Sequence, residues 1–237
     1  MTKDWGGNLP PWSSQFSVAN RVDAMDCTSE SFINIIYMMT GFDASPRALA
    51  KLSYTTEAGN RESNILQTAN NLGLIPYPLW PSPSDFDWDS YYAVVPQDFI
   101  KRGMRCRVTQ RPFDLSKSPG WTILLFPNGA QHAVAQINKT QYFDSEQGSP
   151  VKNLTYGGAQ IINQIGLMVT LMINCQTVKF ADGKTFGILI DTPNGSQIIK
   201  ATDEAQWRSW NSPTSYGKAT VNPDGTTNWN TELQLNF

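Results

Sequence analysis

The sequence predicts an α+β fold, with N-terminal helices packed on an antiparallel sheet and a β-rich C-terminal extension. Three observations carry this. Apolar residues recur at helical spacing chiefly before Gly73. Short apolar runs bounded by turn residues take over from Met104 onward. Beyond residue 155, "VKFADGKTFGILIDTPNGSQIIKA" sets Asp-Gly and Asn-Gly pairs between apolar runs, the signal of consecutive hairpins. Helices first and strands afterwards is the order of an α+β domain.

Residues 1–22 are rich in Pro, Gly and Ser and read as an extended arm laid over the surface. Helical spacing begins near Thr28, where Phe32, Ile35, Ile36 and Met39 fall on one face. Asp26 or Thr28 is placed to cap that helix, and Gly41 to stop it. A second helix is predicted over 45–52, with Pro46 in its first turn. A third covers 62–72, with Ile65, Leu66 and Ala69 on one side and Gly73 at its end. The Pro- and aromatic-rich stretch "PYPLWPSPSDFDWDSYY" excludes a regular helix or central strand. A short helix follows near 96–102. Strands are then expected in "MRCRVTQR", "WTILLFP", "QHAVAQIN" and "TQYFDS". "IGLMVTLMI" reads as a buried strand or short helix, since its nine residues fall well below the roughly 20 a membrane helix needs. Near the C-terminus, "DEAQWRSW" reads as a short helix and "TVNPDGTTNWNTELQLNF" as a turn and terminal strand or arm.

Composition excludes several functions. The 237 residues carry a formal net charge of −2, and no Lys/Arg block is long enough to follow a phosphate backbone. Nucleic acid is therefore not an expected partner. Charged residues make up 16%, against about 25% in ordinary soluble domains, a balance more familiar in secreted or particle-bound proteins. The first thirty residues lack the apolar run of a signal peptide, and no segment is suited to membrane insertion. Three unpaired cysteines and a single histidine supply neither a disulfide framework nor a conventional zinc site, so no metal or other cofactor is expected. The acidic group Asp85, Asp87 and Asp89 lacks the glycine and terminal Glu of a calcium loop.

One constellation carries chemistry. Nucleophilic catalysis by a thiol needs the thiolate, a histidine within reach and a group to orient that histidine. Cys27 stands at a helix start, where the macrodipole and unpaired N–H groups favour thiolate. His132, the sole histidine, lies on a predicted strand after a turn at Asn128-Gly129. Asp144 ends the next strand, and a tight turn near Asn138 and Lys139 brings it beside His132. Ser145 and Glu146 are alternatives for Asp144. Cys106, between Arg105 and Arg107, has an electropositive setting but reads as an edge-strand residue, and Cys175 reads as structural. Trp80, Trp88 and Trp121 are either cleft-lining or packing anchors.

Asp26-Cys27 at a helix start, His132-Ala133-Val134 on a strand and Asp144 at the end of the next resemble the papain-like cysteine peptidases, specifically the C39-like group. "SPRALAKLS" and "TTEAGNRESNILQTANNLGL" are also similar to that group, so the resemblance covers roughly residues 15–150. Comparable chains occur among phage-encoded papain-like proteins, with an arm ahead of the cysteine matched here by Leu9, Pro10, Gln15 and Phe16. The resemblance implies a papain-like fold and a thiol hydrolase acting on a peptide or amide bond, in protein or peptidoglycan. It assigns Cys27 as nucleophile, His132 as base, Asp144 as orienter and Gln15 as oxyanion donor.

The sequence departs from the family in two places. Gln15 lies twelve residues before Cys27 where about six is usual, so either the loop between them is enlarged, or Asn20 serves, or the hole is incomplete. Thr28-Ser29-Glu30 replaces the family's small residues after the cysteine, and Glu30 disfavours a neighbouring thiolate. The alternative is a papain-like fold reused as a structural or binding component, for example of a phage particle. Its polar arms 1–14 and 217–237 would contact copies of itself or other virion subunits. The predicted organisation is a papain-like domain over 1–155 and a hairpin-rich extension over 156–237, in a virion or host cytoplasm.

Overall fold

The structure is a computed structural model that describes residues 3–11, 14–146, 149–179, 186–192, 195–200 and three short strand pieces beyond, with side chains described as far as Leu171. A two-residue ladder, β1 (Phe16–Ser17) with β2 (Val22–Asp23), precedes the helices. These are α1 (Cys27–Thr40), α2 (Pro46–Leu52), α3 (Glu62–Leu72), α4 (Trp88–Tyr91) and α5 (Gln97–Lys101). The strands β3 (Cys106–Pro112), β4 (Gly120–Leu125), β5 (Gln131–Gln136), β6 (Gln141–Phe143), β7 (Val151–Asn153) and β8 (Gln160–Lys179) follow. β9 (Phe186–Thr192) and β10 (Gly195–Lys200) come after them. Every pairing in the large sheet is antiparallel, in the order β10-β9-β8-β4-β5-β6-β7, with β3 against β8. The chain is thus a mixed assembly of helices and antiparallel sheet.

α1 is buried on almost all sides because its apolar face meets the sheet, while the Thr28 and Ser31 hydroxyls donate to the Asn60 and Cys27 carbonyls. Phe32, Ile35 and Ile36 are fully buried, while Met39 is only partly so. Phe32 packs on Trp121 of β4 with ring centroids 5.3 Å apart, and the Trp121 indole donates to the Ser31 hydroxyl at 2.9 Å. Each such side chain contributes roughly 1.5–3 kcal/mol by leaving water. Gly41 stops the helix in the left-handed region at φ 73°, its N–H returned to the Tyr37 carbonyl. Gly73 ends α3 at φ 82°, and a Cβ there would stand 2.6 Å from the Met104 carbonyl oxygen. Only glycine permits that approach of α3 to the start of β3.

Three expectations change. Asp26 occupies the cap position of α1 but makes no capping bond; its carboxylate accepts from the Tyr91 hydroxyl at 2.5 Å instead. The N-terminal arm is not merely surface: Trp5 is buried in the main core, its indole donating to the Leu115 carbonyl. The Pro-rich stretch holds a one-turn helix, α4, closed by a capping box between Asp87 and Ser90.

"IGLMVTLMI" is a strand, within β8. The first half of β8 pairs with β3 and β4 and its end with β9, so it joins the sheet of the N-terminal part to the hairpin after it. The predicted helix "DEAQWRSW" and most of the predicted terminal arm lie outside the described residues, as does the Cys175 side chain. Among the described residues, no helix is long and apolar enough to cross a membrane.

Candidate active site

Cys27 is the first residue of α1, and the chain is turned sharply to put it there. Met25 is held in the left-handed region at φ 55°, with its N–H bound to the Asp23 carboxylate at 2.7 Å. A non-glycine residue in that region costs on the order of 1 kcal/mol, recovered here by the hydrogen bond and by seating α1. As the first helical residue, Cys27 has a backbone N–H with no acceptor inside the helix.

His132 is the second residue of β5. Its Nε2 meets Asp144 Oδ1 at 2.6 Å, and the ring shares the cleft wall with Cys27, near enough for the thiol to raise the pKa of the imidazole. With Nε2 engaged by a carboxylate, Nδ1 is the nitrogen left for sulfur. The turn predicted at Asn138-Lys139 is what aligns the two strands. The Asn138 side-chain oxygen accepts from the N–H groups of Thr140 and Gln141, and β6 returns antiparallel to β5. Asp144 follows β6 directly, fully buried.

The carboxylate is held on both sides. Oδ1 also accepts the Glu146 N–H, and Oδ2 accepts from Lys152 Nζ at 2.9 Å. Lys152 Nζ lies 3.2 Å from Glu146 Oε2 as well, and its side chain is 5% exposed. Burial pushes the Asp144 carboxyl up, but the hydrogen bond and charge of His132, with Lys152, hold it down at about 2. Burial disfavours the His132 imidazolium, yet the Asp144 and Cys27 contacts outweigh it and raise its pKa well above the ordinary value. His132, Asp144 and Glu146 could together face a cation, but the Lys152 ammonium already lies against both carboxylates.

The enlarged loop before Cys27 is the β1–β2 hairpin, which returns the chain so that Gln15 reaches the cleft. Gln15 is pinned four ways. Its N–H donates to the Ser145 carbonyl, its own carbonyl accepts from Ala24 N–H, its Oε1 accepts from Ser145 Oγ, and its Nε2 donates to Asp23 Oδ1 at 3.1 Å. Ser145 is therefore a positioning neighbour of Gln15. Asn20 donates to Asp85 and is not among the residues lining the cleft. Glu30 points away from the thiol; with Asp43 and Tyr77 it borders a separate cavity of about 50 Å³.

Cys27 and His132 stand at the junction of two hollows. The larger, about 570 Å³, is lined by Gln15, Asp23, Phe126, Asn128 and Glu146 among others. The smaller, about 150 Å³, runs past Thr28, Gly59, Asn60, Glu62 and Ile123. Cys106 is buried with its thiol on the Ala69 carbonyl, and burial pushes its pKa to about 12 in spite of Arg105. Trp121 is core; Trp80 and Trp88 pack on Phe99 and Tyr92. Asp85 accepts from Ser17 and Asn20, and Asp87 caps α4.

Sequence reasoning missed Lys152. It lies opposite Tyr142 in the β6–β7 ladder, hence on the same side as Asp144 two residues on. β7 has only three residues, too few to show alternation.

A scan against protein-family models and a search of curated proteins each find no match. Among solved structures, the chain is similar to a cysteine protease of Carica candamarcensis in complex with E-64. The identity is 16% over 68% of this chain and 87% of that one, with a TM-score of 0.40.

Proposed function

We propose that the protein is a thiol hydrolase of papain-like fold that cleaves a peptide or amide bond. The observation that carries this is the single constellation of Cys27 at the head of α1, His132 lining the same cleft, and Asp144 on the Nε2 of that histidine. In this reading residues 1–155 are the papain-like unit, 156–237 a hairpin-rich extension, and the Asp26-Cys27 opening follows the C39-like group.

The steps follow from the contacts. The imidazole takes the thiol proton, and the thiolate adds to the substrate carbonyl. The Cys27 N–H and the second N–H of Gln15 Nε2 stabilise the oxyanion. The imidazolium, held by Asp144, returns its proton to the leaving amine, giving a thioester. Water, deprotonated by His132, releases the acid and restores the thiol. Lys152 keeps Asp144 ionised and fixed throughout.

The test is amine release from a protein substrate and from peptidoglycan by the wild-type chain and by Cys27→Ala. Release that is lost in Cys27→Ala supports the proposal. Equal release by the two proteins, or none from either substrate, overturns it.

A further inference from the structure

Apart from the His132 imidazole at their junction, the titratable side chains that line the two hollows are carboxylates and the Cys27 thiol. Asp23 and Glu146 face the larger and Glu62 the smaller, and no Lys or Arg lines either among the described residues. Their surroundings compensate them unequally. Glu146 has Lys152 at 3.2 Å. The Asp23 carboxylate accepts from the Gln15 amide and the Met25 N–H, both uncharged donors. Glu62, half-buried in the first turn of α3, has no ion pair among the described residues; the partial positive charge of the helix end, about half a unit, and the exposed Arg61 before it are the positive groups nearest in sequence. Beside it, the Asn60 side chain is spent on Ser53 and Thr55 and fixes the wall of the hollow.

We propose that the substrate carries a cationic group, a lysine- or arginine-type side chain or a free amine, seated in the arm lined by Asn60 and Glu62. The proposal rests on the thiol-hydrolase reading and names the substrate class of that site. A cation there pairs with Glu62 and feels the field of Asp23 across the thiol, whereas an anionic group meets carboxylates on both sides. A unit charge about 7 Å away through water changes the encounter of a singly charged group roughly two- to threefold, and a partly desolvated cleft raises this.

The test reads Cys27 labelling, by peptide mass mapping, with three methanethiosulfonates: cationic 2-aminoethyl, neutral methyl and anionic 2-sulfonatoethyl. The cationic-to-anionic rate ratio is divided by that of 2-mercaptoethanol. We expect a normalised ratio of about tenfold, a fall of about fivefold in Glu62→Gln, since one charge speeds the cation and slows the anion, and no change in Asp98→Asn on the remote α5. A ratio near one, or one unmoved by Glu62→Gln, overturns the proposal. The neutral reagent separates the two readings. Fast labelling by it with no charge discrimination leaves the reactive thiol standing and removes the cationic substrate. Discrimination with slow neutral labelling keeps the charged cleft and removes the hydrolase.

Discussion

Replacing Lys152 by methionine removes one ammonium and little volume, so it isolates what that charge does. The side chain is 5% exposed, and its Nζ is 2.9 Å from Asp144 Oδ2 and 3.2 Å from Glu146 Oε2. Removing one partner of a buried pair costs about 3–5 kcal/mol, because the remaining charge is left uncompensated. Asp144 keeps its bonds to His132 and to the Glu146 N–H, and Glu146 is half exposed, so about 3 kcal/mol is expected. In a chain of this size that corresponds to roughly 6–12 °C in Tm. The pH dependence gives a second signature. Asp144 has its pKa depressed to about 2, so its contribution is complete above about pH 4 and is lost as pH falls toward 2. In Lys152→Met the depression shrinks, so the acid loss is smaller and is complete at a higher pH. Urea unfolding at pH 7, 5 and 3 measures both effects. A variant within 0.5 kcal/mol of wild type at pH 7, with the same acid limb, would refute the reasoning.

Other outcomes follow from the same contacts. Asp26 is fully buried, and burial raises its carboxyl to about 7 in spite of the Tyr91 hydroxyl. A rise from 3.8 to about 7 corresponds to roughly 4 kcal/mol of stability lost as pH climbs between those values. Asp26→Asn should therefore raise Tm at pH 7.5 and not at pH 4, as read by calorimetry; equal effects at both pH values would contradict this. Gly73→Ala combines a left-handed backbone with a 2.6 Å overlap on the Met104 carbonyl. It should cost about 3 kcal/mol in urea unfolding, and a neutral result would mean α3 does not approach β3 as described. Gln15→Ala should lower the rate of amide cleavage about 10²-fold with the protein still folded, the scale of a lost oxyanion donor. An unchanged rate would remove Gln15 from the chemistry.

What was legible in the sequence was what periodicity and turn chemistry encode locally. Phe32, Ile35 and Ile36 announced α1, Gly41 and Gly73 its stop and that of α3, and Ser45-Pro46 the start of α2, where Ser45 does accept the Ala48 N–H. The sole histidine on one strand and an acid ending the next were close enough in sequence for one tight turn to join them. The remainder depended on contacts between distant segments. Asp26 looked like a cap because capping is local, yet Tyr91, 65 residues away, takes its carboxylate. Gln15 looked too far from Cys27 because two-residue strands leave no periodic trace, although β1 and β2 absorb the extra length. Trp5 read as part of a polar arm because its partner, the Leu115 carbonyl, is 110 residues on. Glu30 seemed to oppose the thiol when only the order along the chain was known; the turn of the helix carries it to another cavity.

The central claim is that His132 and Cys27 act as one unit, and alkylation of Cys27 by iodoacetamide from pH 5 to 8 tests it most directly. The account predicts that at pH 6 wild-type Cys27 reacts at least tenfold faster than a free thiol, and that His132→Ala removes the advantage. A wild-type rate no greater than that of a free thiol across the range, or one unchanged in His132→Ala, would contradict it.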